Sequence, residues 1–576
     1  MDKRTLIAIF LILGVLLVDS IWWSQRTRQR QPAPVAPTAD SSAIPGGTGS
    51  TAPGGAGSAT APGAPATTAA PATPDGSIPA APSSSVVGAP NVSGETRVPM
   101  RIAAAPVEEH RLETKAFRAT ISTQGGSVVS WTLPGYKNPL TKAPVDLVRL
   151  GGSAMHVVVS TGNATFDFTN APFQVVGYEG MRGLVAFEAV DSSGVRVRKT
   201  YRLDRDPSLL DLEIRVSAPA SLGPIRYRFG WASPLPLTEQ FAKTHELKGT
   251  ALLGEKLLAY DEKGLGKEGV KLETGNVRWA GDRSKYFVAA LIPDSLTADQ
   301  VAFLPAADAT SSAWLTGAAT PGAEVVRHAR LYAGAIHFDT LVGVGSGMER
   351  LVNFGWSWLE PISKFLLKCL LLLYQWIPNY GVGIILLSLA TKVVFYPLTQ
   401  SSLRTMKIMH RLQPRMNEIR TKYKDDPAKM NTAVMALYKE HKVNPLGGCL
   451  PMLLQIPFFF ALYNVFLNAV ELRAAHFMGH ITDLSAPDVL MMLGPLPLSL
   501  MPILMTLSTF WMQALTPTDP AQKPIMMVMP VMMLFFMYTL PSGVILYWTV
   551  NNVLSALQQQ WVNHVDDRQQ AAATSS

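Results

Sequence analysis

The chain has 576 residues, of which 48% are hydrophobic and 16% charged, with a mean hydropathy of +0.16. That balance excludes a well-charged soluble globule, and two cysteines in apolar surroundings, Cys369 and Cys449, exclude a disulfide scaffold and a four-cysteine zinc site. The net charge of +8 invites a nucleic-acid reading only until the basic residues are located.

Residues 1–23 read as a membrane anchor. Lys3 and Arg4 precede an uncharged apolar run that continues to Trp22 and Trp23. The paired tryptophans suit an interfacial belt and no small-x-small cleavage site follows at once, so an anchor is favoured over a cleaved signal peptide. Residues 24–110 are dominated by Ala, Pro, Gly, Ser and Thr, with no aromatic between Trp23 and Phe117. Such a segment buries too little apolar area to offset its ordering entropy and is expected to be a disordered tether. Residues 111–345 carry period-two runs such as Val195-Arg-Val-Arg-Lys-Thr-Tyr-Arg-Leu and Leu210-Asp-Leu-Glu-Ile-Arg-Val, punctuated by Gly125-Gly126 and Gly151-Gly152. They predict antiparallel strands in a large β-sandwich.

Residues 346–377 place Glu349, Asn353, Glu360, Lys364 and Lys368 on one helical stripe and Phe354, Trp358, Leu366 and Leu370 elsewhere. This predicts an amphipathic helix lying in the membrane interface, kinked at Pro361. A second span is expected over 378–399, and others over 446–470, 494–514, 525–540 and 543–561. The stretches Val443 to Val470, Val489 to Thr518 and Pro524 to Val565 contain no Asp, Glu, Lys or Arg.

Between the second and third spans, residues 400–445 hold ten Lys or Arg against four acids, with Leu403, Met406, Leu412, Met416, Ile419 and Tyr423 at helical spacing. A basic helical hairpin is predicted, its second arm opened by Asp426-Pro427. The loop 471–493 carries one Arg and three acids. This asymmetry puts the hairpin, the 515–524 loop, the 562–576 tail and both termini in the cytoplasm, and the β domain outside. Arg26, Arg28 and Arg30 oppose that orientation of the first span and are outweighed by the hairpin.

Lys392 is the leading candidate for function. With the span ending near Leu398, its Cα lies about 9 Å inside the helix end. The chain stays apolar through Val393-Val-Phe-Tyr-Pro-Leu398, so a lysine facing a water-filled recess is favoured over one that snorkels. Ser388, Thr391, Gln455, Asn464, Asn468, Thr506, Gln513, Tyr547, Asn551 and Asn552 add polarity to the spans. Singly each bridges helices; together with Lys392 they suggest a hydrated cavity. Eleven of the 23 methionines lie in or beside residues 491–537, which suits either an adaptable apolar surface or ordinary packing. His476 and His480, at i,i+4 without a partnering Glu, make a poor metal site, and Gly343-Val-Gly345-Ser-Gly347 lacks the Lys-Ser/Thr ending of a phosphate loop and reads as a hinge. No catalytic group, metal site or cofactor is assigned.

The stretch Ala436-Leu-Tyr-Lys-Glu-His-Lys-Val-Asn-Pro-Leu-Gly-Gly-Cys449, with Pro451, Gln455-Ile-Pro457 and Ala461-Leu-Tyr463, closely resembles the core signature of the YidC membrane-protein insertases. So do Tyr396-Pro397-Leu398-Thr399, Val470-Glu471-Leu472-Arg473, Asp483-Leu-Ser485 and Pro541-Ser-Gly543 leading to Tyr547. Thr123-Gln-Gly-Gly126 and the overall architecture resemble the larger, Gram-negative form of the family. The resemblance implies a multi-domain membrane protein: five core transmembrane helices plus an N-terminal anchor, with a periplasmic antiparallel β-supersandwich, in the cell inner membrane. It implies a non-hydrolytic insertase and chaperone acting alone or with the Sec translocon. Nascent membrane proteins, a translating ribosome or targeting factors, and membrane lipids would be its partners, with no specific nucleic acid.

The family's groove carries one positive charge, usually arginine, and the matching position is Lys392. Replacing arginine keeps the cation and loses the planar fork. The groove position one turn earlier corresponds to Ser388, and a tyrosine pair to Tyr547 and Trp548, where tryptophan removes a hydroxyl. Thr391, Gln455, Asn464, Thr506 and Asn551 complete the expected groove, and Arg404, Lys407, Arg411, Arg415 and Arg420 the expected client contacts of the hairpin. A secondary transporter is the rival reading, but inverted repeats are not evident in the sequence. A structural assembly factor without insertase activity is a third.

Overall fold

The computed structural model describes residues 96–574 except 140, 163, 181–182, 240–245, 266–268, 295–299, 307–309, 442, 444–445, 494–495 and 517–522. The expected anchor and most of the expected tether lie outside the described residues.

The alternating runs fold as strands because every second side chain reaches one core. In Leu209–Ser217, Leu210, Leu212, Ile214 and Val216 are buried while Asp211, Glu213 and Arg215 stay partly exposed. That strand lies between Arg196–Leu203 and Val325–Ala335 in a nine-stranded sheet. A seven-stranded sheet centred on Ile225–Gly230 packs with it around a shared core, and a four-stranded sheet built on Arg118–Ser122 and Ser127–Lys137 adds to that core. Trp131 anchors it, with Phe117 stacked at 4.2 Å and Trp231 edge-on at 6.1 Å.

The β domain starts before the expected residue 111. Thr96–Arg97 pairs in parallel with Ala164–Thr165, and the Arg101 amide donates to Asp191 at 2.7 Å. Composition alone missed this, because a segment too polar to fold by itself still gains backbone hydrogen bonds on an existing sheet edge.

The Thr123-Gln-Gly-Gly126 turn has a local cause. Gly125 has φ 75°, and a Cβ there would lie 2.1 Å from the Thr169 carbonyl oxygen. The turn directs the Gly125 carbonyl to Lys199, whose buried ammonium donates to it at 2.7 Å and to Met155 O at 2.6 Å. Burial pulls the Lys199 amine down to about 7.

Helix α1 (Phe338–Val344) follows the last strand, and the glycine-rich turn, with Gly345 and Gly347 at φ 77° and 75°, leads into a 3-10 turn at Met348–Leu351. The expected continuous amphipathic helix is broken here. Helix α2 begins only at Glu360 and runs to Trp376, with Pro361 in its first turn rather than at a kink. A proline is accommodated at that position, where its missing N–H has no intrahelical partner.

Helix α3 (Tyr380–Arg411) is 32 residues long and contains Pro397. The expected end near 398 is therefore corrected: the helix carries on into what was read as the hairpin, and Lys392 lies near its middle. The hairpin proper is α4 (Gln413–Lys422) and α5 (Pro427–Glu440), closed by Leu412, Met416, Leu437, Tyr438 and Val443, with Asp426 capping the Lys429 amide at 3.0 Å.

Helix α6 is Leu446–Asn468, α7 Leu500–Leu515, α8 Lys523–Met537 and α9 Ser542–Thr574. Two departures stand out. A short hairpin, Met491–Leu493 with Leu496–Leu498, occupies the expected start of the fourth span, and α9 continues through the expected tail. Among the described residues Tyr380–Met409 is the one helical stretch of at least 18 residues that also has the hydropathy of a span; Leu453–Asn468, Leu500–Leu515 and Met526–Met537 are shorter apolar helices.

The quoted motifs hold this bundle together. Ser542 Oγ donates to the Asp483 carbonyl at 2.8 Å and the Gly543 amide to Leu484 O at 3.0 Å, so Pro541-Ser-Gly543 docks on Asp483-Leu-Ser485. Asp488 caps α7 through the Leu500 and Met501 amides at 3.0 and 2.8 Å, and pairs with His480 at 2.7 Å. A single apolar cluster runs from Trp279 and Tyr332 of the β domain to Ile384, Phe466 and Tyr547 of the helices.

Candidate functional site

A polar layer lies where α3, α6 and α9 meet. Lys392 Nζ donates to Ser555 Oγ at 2.6 Å, and Ser555 in turn donates to Asn551 O at 2.7 Å. The single hydroxyl proton is thus committed to its own helix and the oxygen is left to receive the ammonium. The Tyr547 hydroxyl is in polar contact with Gln455, Asn551 and Thr391, which joins the three helices.

Lys392 is half-buried, and two of its three N–H groups have no protein acceptor among the described residues. Its neighbours Val393 and Val394 are 68% and 69% exposed. The amine therefore points between helices while the same helix presents an apolar outer face.

The remaining expected residues divide. Ser388 and Thr391 are buried and return their hydroxyls to their own helix, at Ile384 O and Ser388 O, both at 2.8 Å. Thr506, on α7, does the same to Pro502 O at 2.8 Å. Asn552 links α9 to α7 through Ser508 and Thr509 at 3.2 and 2.7 Å. Trp548 packs edge-on against Phe459 at 4.9 Å and makes an apolar wall where the resemblance implied a hydroxyl.

Asn464 is corrected out of this layer. It donates to Phe460 O at 2.7 Å and lies against Gly355, while Asn468 donates to Asn353 O at 3.0 Å, so both hold the 353–355 loop at the far end of α6. Periodicity places polar residues on a face but not at a height along it. Ser555 was missed for the opposite reason: a lone serine is unremarkable, although its spacing of four from Asn551 on α9 puts both on one face.

The five expected basic contacts also divide. Arg404, Lys407 and Arg411 belong to the end of α3, whereas Arg415 and Arg420 are on α4. Lys407 reaches Val562 O of α9 at 3.4 Å and Arg415 reaches His441 at 3.5 Å; Arg404 and Arg411 are exposed.

At the other end, Arg473 clamps the β domain. It pairs with Glu239 at 2.7 Å, donates to Lys137 O at 2.9 Å and lies over the Phe287 ring at 5.1 Å. Glu471 faces His337 at 3.5 Å, and burial pushes its carboxyl up despite that imidazole.

Residues 109–369 match the family model described as the YidC periplasmic domain, and residues 372–569 match the one described as 60Kd inner membrane protein. The chain belongs to the YidC membrane insertase family. A relative named membrane protein insertase YidC from Pelobacter propionicus is 32% identical over 98% of this chain and 99% of its own length. Another of that name from Syntrophus aciditrophicus is 33% identical over 82% of this chain and 89% of its own. A solved YidC insertase with its first transmembrane domain resolved aligns over 80% of this chain and 93% of its own, at 18% identity and a TM-score of 0.35. The protein is thus a YidC-family transmembrane protein with a periplasmic β-sandwich domain and C-terminal helices.

Proposed function

We propose that the protein inserts nascent membrane proteins into the inner membrane and assists their folding, without hydrolysing a nucleotide. One observation carries the reading: Lys392 sits amid an apolar helix face with its ammonium turned to the polar layer and two donors free of protein acceptors among the described residues. An ammonium in hydrocarbon costs roughly 2.5–3.5 kcal/mol on insertion scales, so it is retained where water or a client's acceptor meets it.

The polar flank of a client enters the cleft between α3, α6 and α9, where Lys392, Gln455 and Tyr547 lower its desolvation cost and the cation favours acidic residues. Burial of about 20 apolar residues in lipid supplies the driving force. The length of α7, 16 residues, supports this path. At 1.5 Å per residue it reaches about 24 Å, short of a hydrocarbon core of about 30 Å, and such mismatch thins the adjoining bilayer.

In this reading the anchor, α3, α6, α7, α8 and α9 span the membrane. The basic α4–α5 hairpin is cytoplasmic, as are both termini. The basic stretch meets anionic headgroups, the client and its ribosome or targeting factor, and the Sec translocon is a partner for larger clients.

Reconstitution in liposomes with a short single-span client and no ATP tests the reading. Insertion that falls when Lys392 is replaced by Met supports it, and solute flux without insertion would favour a transporter. Unchanged insertion by Lys392→Met removes the charge from the mechanism.

A further inference from the structure

Two cavities line the seam between the β domain and the helices, of about 860 Å³ and 460 Å³, and Glu246 and Lys285 border both. The larger is walled by β-domain residues, by the 349–355 loop, by the first turns of α2 and by the end of α6.

Its charges sort into two groups. Arg350 is held by Glu255, and Lys364 by Glu360 at 2.7 Å. Lys248, Arg283 and Lys285 also line the cavity, and among the described residues none of the three is within salt-bridge distance of a carboxylate. Arg283 donates to Leu351 O at 3.4 Å, which fixes it at the wall, and burial lowers both it and Lys285. Glu246 and Glu349 are the acids of the lining left outside these pairs, and of the two Glu246 has a buried Oε2 with no hydrogen-bond partner among the described residues. A buried carboxylate oxygen left in this way calls for a donor.

Along the same loop, Trp356 and Trp358 stack at 6.2 Å and are 60% and 58% exposed, and Trp356 also meets Phe460 at 5.7 Å. Paired exposed tryptophans at the end of an apolar helix mark the depth of lipid headgroups. The cavity is therefore polar at the level where phosphates lie and adjoins an aromatic surface suited to acyl chains.

We propose that this cavity binds the headgroup of an outer-leaflet phospholipid carrying both a phosphate and a primary ammonium. The phosphate lies on Lys248, Arg283 and Lys285, the ammonium on Glu246, and the acyl chains leave past Trp356, Trp358 and Phe460. A lipid with an anionic, amine-free headgroup satisfies the cations but leaves Glu246 without a donor. The proposal rests on the reading of α6 as a span.

The full chain in nanodiscs, with a photoactivatable group on the acyl chain of phosphatidylethanolamine or phosphatidylglycerol, tests it by peptide mapping. Phosphatidylethanolamine is expected to label residues 352–360 about tenfold more than phosphatidylglycerol, the loss of one or two charge-assisted contacts. Lys248→Gln lowers that labelling and Lys248→Arg restores it, at a partly exposed strand position where neither is expected to disturb folding.

Equal labelling by the two lipids, or indifference to Lys248→Gln, overturns the proposal. So does protection by free phosphoethanolamine equal to that by lipid, which would mark a soluble-ligand site, and so does displacement by a client peptide. Labelling at Val393 and Val394 with none at 352–360 sinks the headgroup site alone. Absence of labelling at both sinks the membrane placement itself.

Discussion

Lys392 and Ser555 stand 163 residues apart in sequence and 2.6 Å apart in space, ammonium against hydroxyl oxygen. Ser555 has already given its proton to Asn551 O, so it orients the lysine without neutralising it. Ser555→Ala is expected to cost about 1 kcal/mol, since the contact is half-exposed, and to slow client insertion a few-fold. Lys392→Arg should keep most activity and Lys392→Met should lose most of it. Initial rates in proteoliposomes distinguish these, and the order fails if Ser555→Ala is more damaging than Lys392→Met.

Arg473 ties the 470–473 turn to the β domain through an almost fully buried pair with Glu239. Removing one partner leaves the other charged and buried, so Arg473→Ala is expected to destabilise the junction by about 3–5 kcal/mol. Hydrogen exchange should rise in residues 468–490 and in the 349–355 loop while the central strands keep their protection. Uniform exchange throughout the β domain would mean that the clamp is part of its core stability.

Gly381 and Gly383 make a matched comparison at the start of α3. A Cβ at Gly381 would lie 2.0 Å from Phe477 Cδ2, whereas at Gly383 the nearest atom is Leu370 Cδ1 at 3.1 Å. Gly381→Ala should therefore cost about 1–3 kcal/mol by overpacking, and Gly383→Ala much less. Thermal unfolding of the two variants in one detergent reads the difference.

Asp282 is buried in the β domain, accepting from the Ala313 amide at 2.9 Å, and burial lifts its carboxyl from 3.8 to about 8. The folded protein holds a proton that the unfolded chain releases, so this group withdraws stability as pH climbs from about 4 to about 8. Asp282→Asn removes that dependence. Relative to the parent protein, it should gain stability steadily over that window, measured by denaturant unfolding at pH 4.5, 6 and 7.5. A constant difference between the two would show that the carboxyl is charged when folded.

The alternation of Leu210, Leu212, Ile214 and Val216 was legible because a strand needs only a period to declare its buried face. The β domain's early start at Thr96 was not, since an edge segment takes its order from a sheet assembled by other residues. Pro397 and Pro361 divide in the same way: the first lies inside a helix that absorbs it, and the second opens one. Neither outcome follows from the residue alone, because proline forbids one hydrogen bond and its surroundings decide whether that bond was needed.

The amino-acid sequence by itself determined the broad plan: apolar stretches too long for a soluble core, a basic segment between them, a β domain before them, and a solitary lysine in an apolar run. Those properties are additive along the chain, and transfer energy and periodicity are read one residue at a time. Only the tertiary structure decided that Lys392 meets Ser555, that Asn464 holds a loop at the opposite end of α6, and that Glu246 is left inside a cavity beside Lys285. Each of these is a distance between separate elements, set by how helices and sheets pack, and pairwise geometry of that kind is not carried by any local pattern.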